Sequence, residues 1–86
     1  MSKTGATAFK TGFIRRTALA RKRAGMSQED MALSLGTAQG TYKNYELDRC
    51  LPHQHVNTFC RVTHVDIEWL YTGKAARISR NHKLSA

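Results

Sequence analysis

The sequence predicts an all-α domain of five helices, on three observations. Apolar and small residues recur at helical spacing along most of the chain. Serine, aspartate, glycine and proline stand where helices would start or stop. No stretch alternates apolar and polar residues as a half-buried strand does. The 86 residues suffice for one domain with a small core. At 41% hydrophobic and 8% aromatic, the chain is globular in composition rather than disordered.

In chain order, residues 1–10 read as a flexible N-terminal segment, 11–73 as the folded domain and 74–86 as a basic tail. A first helix is expected from about Thr11 to Ala24, stopped by Gly25. Phe13, Thr17, Ala20 and Ala24 form its inward stripe. Ile14 and Leu19 fall off that stripe, so they either lap the edge of the core or meet a partner subunit. Ser27 is placed to cap a second helix, with Asp30 three residues on in a near capping box, and this helix closes at Leu35-Gly36. A third should run from Ala38 or Gln39 to about Leu47. Pro52 suits the first turn of a fourth, whose inward face is Val56, Phe59, Cys60 and Thr63. Asp66 can cap a short fifth, Ile67–Tyr71, which buries Ile67, Trp69 or Leu70 and ends at Gly73.

The second and third helices carry the strongest signal. Met31, Ala32 and Leu35 form one stripe, and Tyr42 and Tyr45 form another across a turn as short as Gly36-Thr37. Helices so closely joined cross steeply, and the small Ala32 fits at the crossing. This is a helix-turn-helix, whose usual task is to lay its second helix in the major groove of DNA.

Charge points the same way. Residues 1–25 carry seven Lys/Arg and no acid, 74–86 carry four and no acid, and 26–73 carry three bases against six acids. Basic ends on a net +8 chain favour a polyanionic partner, nucleic acid before membrane. No apolar run is long enough to span a bilayer, and the N-terminus lacks the apolar centre of a secretory signal. Two cysteines are too few for a disulfide scaffold, so a cytoplasmic, reducing location is expected.

The run SQEDMALSLGTAQGTYKNYE at 27–46 resembles the Cro/C1-type (XRE-like) helix-turn-helix family. Its Ser27, Gln28, Glu29, Met31, Ala32, Leu35, Gly36, Tyr45 and Glu46 stand at family positions. VDIEWLYTG at 65–73 is similar to the family's closing motif, and Arg21 to its first-helix arginine. The resemblance covers about 13–73 and implies a five-helix, lambda-repressor-like DNA-binding domain. Thr37-Ala38 replaces the usual Val-Ser, Tyr42 a β-branched aliphatic, Asp48 a glycine, and Thr63 a leucine.

With Tyr42 and Tyr45 inward, Gln39, Gly40, Thr41, Lys43 and Asn44 are left to face the bases. Glutamine and asparagine can pair bidentately with adenine, and lysine can donate to guanine. Gly40 costs roughly 1 kcal/mol inside a helix, sensible if the backbone must approach DNA closely. Gln28, Arg15, Arg16 and Arg49 are the candidates for phosphate contacts. The resemblance further implies an orienting ion pair between Arg21 and Glu46. It also implies a homodimer on a pseudo-palindromic operator, with Leu70, Tyr71 and Ile78 at the dimer surface. The expected function is a sequence-specific double-stranded DNA-binding transcriptional regulator, a repressor in the first instance. Its rivals are an antitoxin that also binds a toxin protein, and a protein-interaction module that no longer binds DNA.

Cys50, His53, His55, Cys60 and His64 could be read as a zinc pattern, since Cys60 and His64 share a helix face. Cys60 already falls on the inward stripe, however, so no metal or cofactor is expected. No nucleophile–base set or phosphate-cradling loop is visible, which argues against an enzyme.

Overall fold

The computed structural model describes residues 3–74, with side chains from Ala8 onward. Five helices follow one another: α1 (Lys3–Arg23), α2 (Gln28–Leu35), α3 (Gln39–Tyr45), α4 (His53–Thr63) and α5 (Ile67–Thr72). There is no strand among the described residues. The architecture is the all-α, five-helix arrangement expected of a lambda-repressor-like domain.

Helix α1 starts at Lys3, not Thr11, so the described residues before Thr11 belong to it. No proline interrupts that stretch, and Phe9 stacks on Phe13 one turn later, with ring centroids 5.7 Å apart. Phe13, Thr17 and Ala20 are buried as expected, but Ala24 is exposed. The helix ends at Arg23, and Ala24 lies in the turn closed by Gly25 at φ 73°. Arg21 takes the inward place instead, at 8% exposure.

The α2 boundaries follow from its caps. The Ser27 hydroxyl accepts from Asp30 N–H and the Asp30 carboxylate accepts from Ser27 N–H, a reciprocal pair at 3.0 Å each. Gly36 closes the helix at φ 72°, a left-handed conformation that suits glycine. α3 is shorter than expected. It stops at Tyr45, and the Asn44 carbonyl accepts from the N–H groups of Leu47, Asp48 and Arg49 at 3.1, 3.2 and 3.0 Å. With Asp48 where the family has glycine, the chain leaves the helix through these turns rather than a left-handed cap.

The core joins Phe13 and Ala20 of α1, Met31, Ala32 and Leu35 of α2, and Tyr42 of α3. It is completed by Leu51 from the loop, Val56 and Phe59 of α4, and Leu70 of α5. The buried hydroxyls of Thr17 and Thr63 donate to the carbonyls one turn back, Phe13 and Phe59, at 2.8 and 2.7 Å. Thr63 thus stands at a leucine position without leaving an unpaired polar group. α1 packs on α4 and α5, and α2 on α3 and α4. Of the three candidates for burial on α5, Leu70 is fully buried, Trp69 partly, and Ile67 is 45% exposed.

Candidate nucleic-acid interface

Helix α3 presents one face to the core and the other to solvent. Tyr42 is fully buried, and Tyr45 meets it edge-on at 5.8 Å. Gln39, Gly40, Thr41, Lys43 and Asn44 are all exposed, so the five expected base-facing positions share one open surface. No acidic side chain interrupts that surface within α3. A Cβ built on Gly40 would meet nothing within 4 Å, so the protein's own packing does not require a glycine there. Ala38 occupies the N-cap with no side-chain hydrogen bond, leaving the first N–H groups of α3 without a side-chain acceptor.

The helix is held in place from behind by one carboxylate. Arg21 donates to Glu46 through Nε at 2.7 Å and through Nη2 at 3.1 Å, a two-pronged pair whose side chains are 10% and 6% exposed. Arg21 Nη1 also donates to the Met26 carbonyl at 2.8 Å, tying α1 to the turn before α2. The Tyr42 hydroxyl donates to Glu46 Oε2, and Gln28 Nε2 donates to Glu46 Oε1 at 3.1 Å. Helices α1, α2 and α3 therefore meet at a single carboxylate. Burial pushes the Glu46 carboxyl up, but donors from Arg21, Tyr42 and Gln28 outweigh it and hold the carboxyl below its ordinary range. Burial raises the Tyr42 hydroxyl, and the adjacent carboxylate raises it further, so it stays a donor.

Two members of this cluster are departures from what the sequence suggests. Tyr42 reads only as a core residue in place of an aliphatic, and its hydroxyl anchors Glu46 as well. The available signal is the i, i+4 spacing of 42 and 46 on one helical face. Gln28 reads as a phosphate contact, whereas its side-chain amide is turned toward Glu46. It remains half-buried in the first turn of α2.

The basic candidates separate clearly. Arg15 and Arg49 are exposed. Arg16 is not available to phosphate: its Nε donates to the Leu70 carbonyl at 2.8 Å and its Nη2 to the Tyr71 carbonyl at 2.9 Å. It secures the C-terminal end of α5, where a cation complements the unpaired carbonyls.

The expected dimer surface is corrected at one residue, Leu70. Leu70 is 0% exposed, its side chain wholly used in the core. Tyr71 is partly buried against Phe13, with centroids 5.2 Å apart, and Phe9 stacks on the same ring at 6.4 Å. Leu70 therefore has no side-chain surface left for a partner, while Tyr71 keeps part of its ring open to solvent. Ile78 lies outside the described residues.

Among the described residues, no group of three or more His, Cys, Asp or Glu side chains is arranged to hold a metal ion. Burial, with Asp66 nearby, pushes the Cys60 thiol up, away from the thiolate a metal needs. Among the described residues, no helix is long and apolar enough to cross a membrane.

The helix-turn-helix family model matches residues 18–70, more than half of the chain, from the middle of α1 to the core leucine of α5. No curated protein and no solved structure matches significantly. The match spans Arg21, both helices of the motif and Glu46, so the geometry and the comparison describe the same unit. The chain belongs to the Cro/C1-type helix-turn-helix family of DNA-binding transcriptional regulators.

Proposed function

We propose that the protein is a sequence-specific regulator of double-stranded DNA that acts as a homodimer on a pseudo-palindromic operator and represses transcription there. The observation that carries this reading is the α3 surface. Gln39, Gly40, Thr41, Lys43 and Asn44 are exposed together on a helix whose opposite face is locked by Tyr42 and Glu46. Gln39 and Asn44 are the readers of adenine and Lys43 of guanine, while Gly40 admits the groove wall to the backbone. The backbone N–H groups at the start of α2, and Arg49 after α3, hold phosphates on either side. One such helix contacts only a few base pairs, so two are needed for useful specificity, and occupancy of a promoter by the pair excludes polymerase.

Selection of bound DNA from a random pool by the full chain tests the reading. It should enrich an inverted repeat whose half-sites lie about 10–10.5 base pairs apart, centre to centre, or a multiple of that. Failure to enrich any sequence overturns it.

A further inference from the structure

An open groove of about 380 Å³ lies between the first half of α1 and the loop after α3. Ile14 and Leu47 are its apolar residues, Lys10 and Arg15 its cations, and Asp48 its carboxylate. Leu47 is 63% exposed and, unlike the more exposed Leu33, stands beside a second apolar side chain, Ile14, within the groove. The only ion pair among the described residues is Arg21–Glu46, so Lys10, Arg15 and Asp48 are unpaired while sharing one small surface. The floor of this groove is continuous with the recognition helix, since the Leu47, Asp48 and Arg49 N–H groups all end on the Asn44 carbonyl.

We propose that this groove is the surface on which a second copy of the chain docks, with Leu47 of each copy seated in the groove of the other. The inference rests on the homodimer proposed above and moves its surface away from α5, whose Leu70 is taken up by the core. A two-fold axis sets any patch against itself, so a patch bearing both signs of charge beside an apolar centre can set a cation of one copy against the carboxylate of the other. A single-sign patch could not do this. Arg15 then meets Asp48 across the axis twice, and Lys10 flanks each pair. Because the loop is tied to the end of α3, docking here also fixes the separation of the two recognition helices.

Sedimentation equilibrium of the full chain, without DNA, tests the surface through a charge exchange. Asp48→Arg and Arg15→Asp should each weaken self-association by about tenfold or more, because each places like charges opposite one another twice. An equimolar mixture should return to wild-type affinity, as every arginine again faces an aspartate. Leu47→Ser should weaken association without changing helical content, since the side chain is exposed. A wild-type dimer unaffected by either charge change, or a mixture that stays monomeric, overturns this surface and leaves the homodimer standing. So does a groove that takes up a fatty-acid probe such as decanoate while the charge changes leave association unaltered. A chain that is monomeric in solution and binds two-half-site DNA without cooperativity overturns the homodimer itself, and this surface with it.

Discussion

Arg21 and Glu46 form a two-pronged ion pair, 2.7 Å at Nε and 3.1 Å at Nη2, that joins the first helix to the end of the recognition helix. Both side chains are almost wholly withdrawn from water. Tyr42 and Gln28 fill the remaining acceptor positions of Glu46, and the Met26 carbonyl takes a third N–H of Arg21. Such a pair holds geometry more than it adds net stability, and its removal is costly because one charge is left stranded.

Glu46→Ala should therefore destabilise the domain by about 3–5 kcal/mol, much of the total for a chain of this size. Arg21→Ala should cost a similar amount, and the double variant clearly less than the sum of the two. Urea denaturation followed by circular dichroism measures all three. Additive losses would show that the pair is not coupled.

Tyr42→Phe keeps the packed ring and removes only the donor to Glu46. A buried hydrogen bond to a charged group is worth about 1.5–3 kcal/mol, so the urea midpoint should fall by that measure. An unchanged midpoint would place the hydroxyl outside the anchor.

Acid should loosen the same joint. The Glu46 carboxyl is held below its ordinary 4.5, so the folded state binds its proton less readily than the unfolded chain does. Its contribution to stability is complete above the unfolded value and is lost as pH falls through the lower folded value. Stability should thus decline below about pH 4.5 more steeply in the wild type than in Glu46→Gln, measured as melting temperature against pH.

Gly40→Ala separates folding from recognition. Nothing lies within 4 Å of the added methyl group, so the helix should gain roughly 0.5–1 kcal/mol. Operator binding should weaken if DNA approaches the backbone there. A variant more stable and equally tight on its selected site would remove the close approach from the binding scheme. Gln39→Ala and Asn44→Ala should each cost about 1–3 kcal/mol on the selected site and little on random DNA, read by competition binding.

The two kinds of arginine should part in salt titrations. Arg49→Ala is expected to reduce the slope of log affinity against log salt by about one. Arg16→Ala should leave the slope unchanged and lower thermal stability, because its guanidinium is held by the Leu70 and Tyr71 carbonyls. A reduced slope for Arg16→Ala would return it to the phosphate surface.

Much of the scaffold was legible in the chain because it rests on local chemistry. Ser27 and Asp30 close a capping box wherever a helix begins there, and Gly36 supplies a left-handed residue for a turn of that length. Tyr42 and Tyr45 form the apolar stripe of α3, and this left Gln39, Gly40, Thr41, Lys43 and Asn44 outward. Periodicity alone therefore separated the two faces of the recognition helix. It could not locate the start of α1, because a stretch without strong apolar pattern is helical here through packing of Phe9 on Phe13 and Tyr71.

The sequence by itself determined the helix-turn-helix and the exposed polar face of α3, and its family resemblance pointed to the Arg21–Glu46 pair. Only the tertiary structure decided what the polar side chains bond to. Arg15 and Arg16 are neighbours of identical chemistry, yet one is exposed and the other is spent on the end of α5, 54 residues away in the chain. Leu70 and Leu47 are both leucines beside a helix end, yet one fills the core and the other stands in solvent. Side-chain type sets which interactions are available. Which of them form depends on the elements that packing brings within reach, and that is a long-range property no local spacing contains.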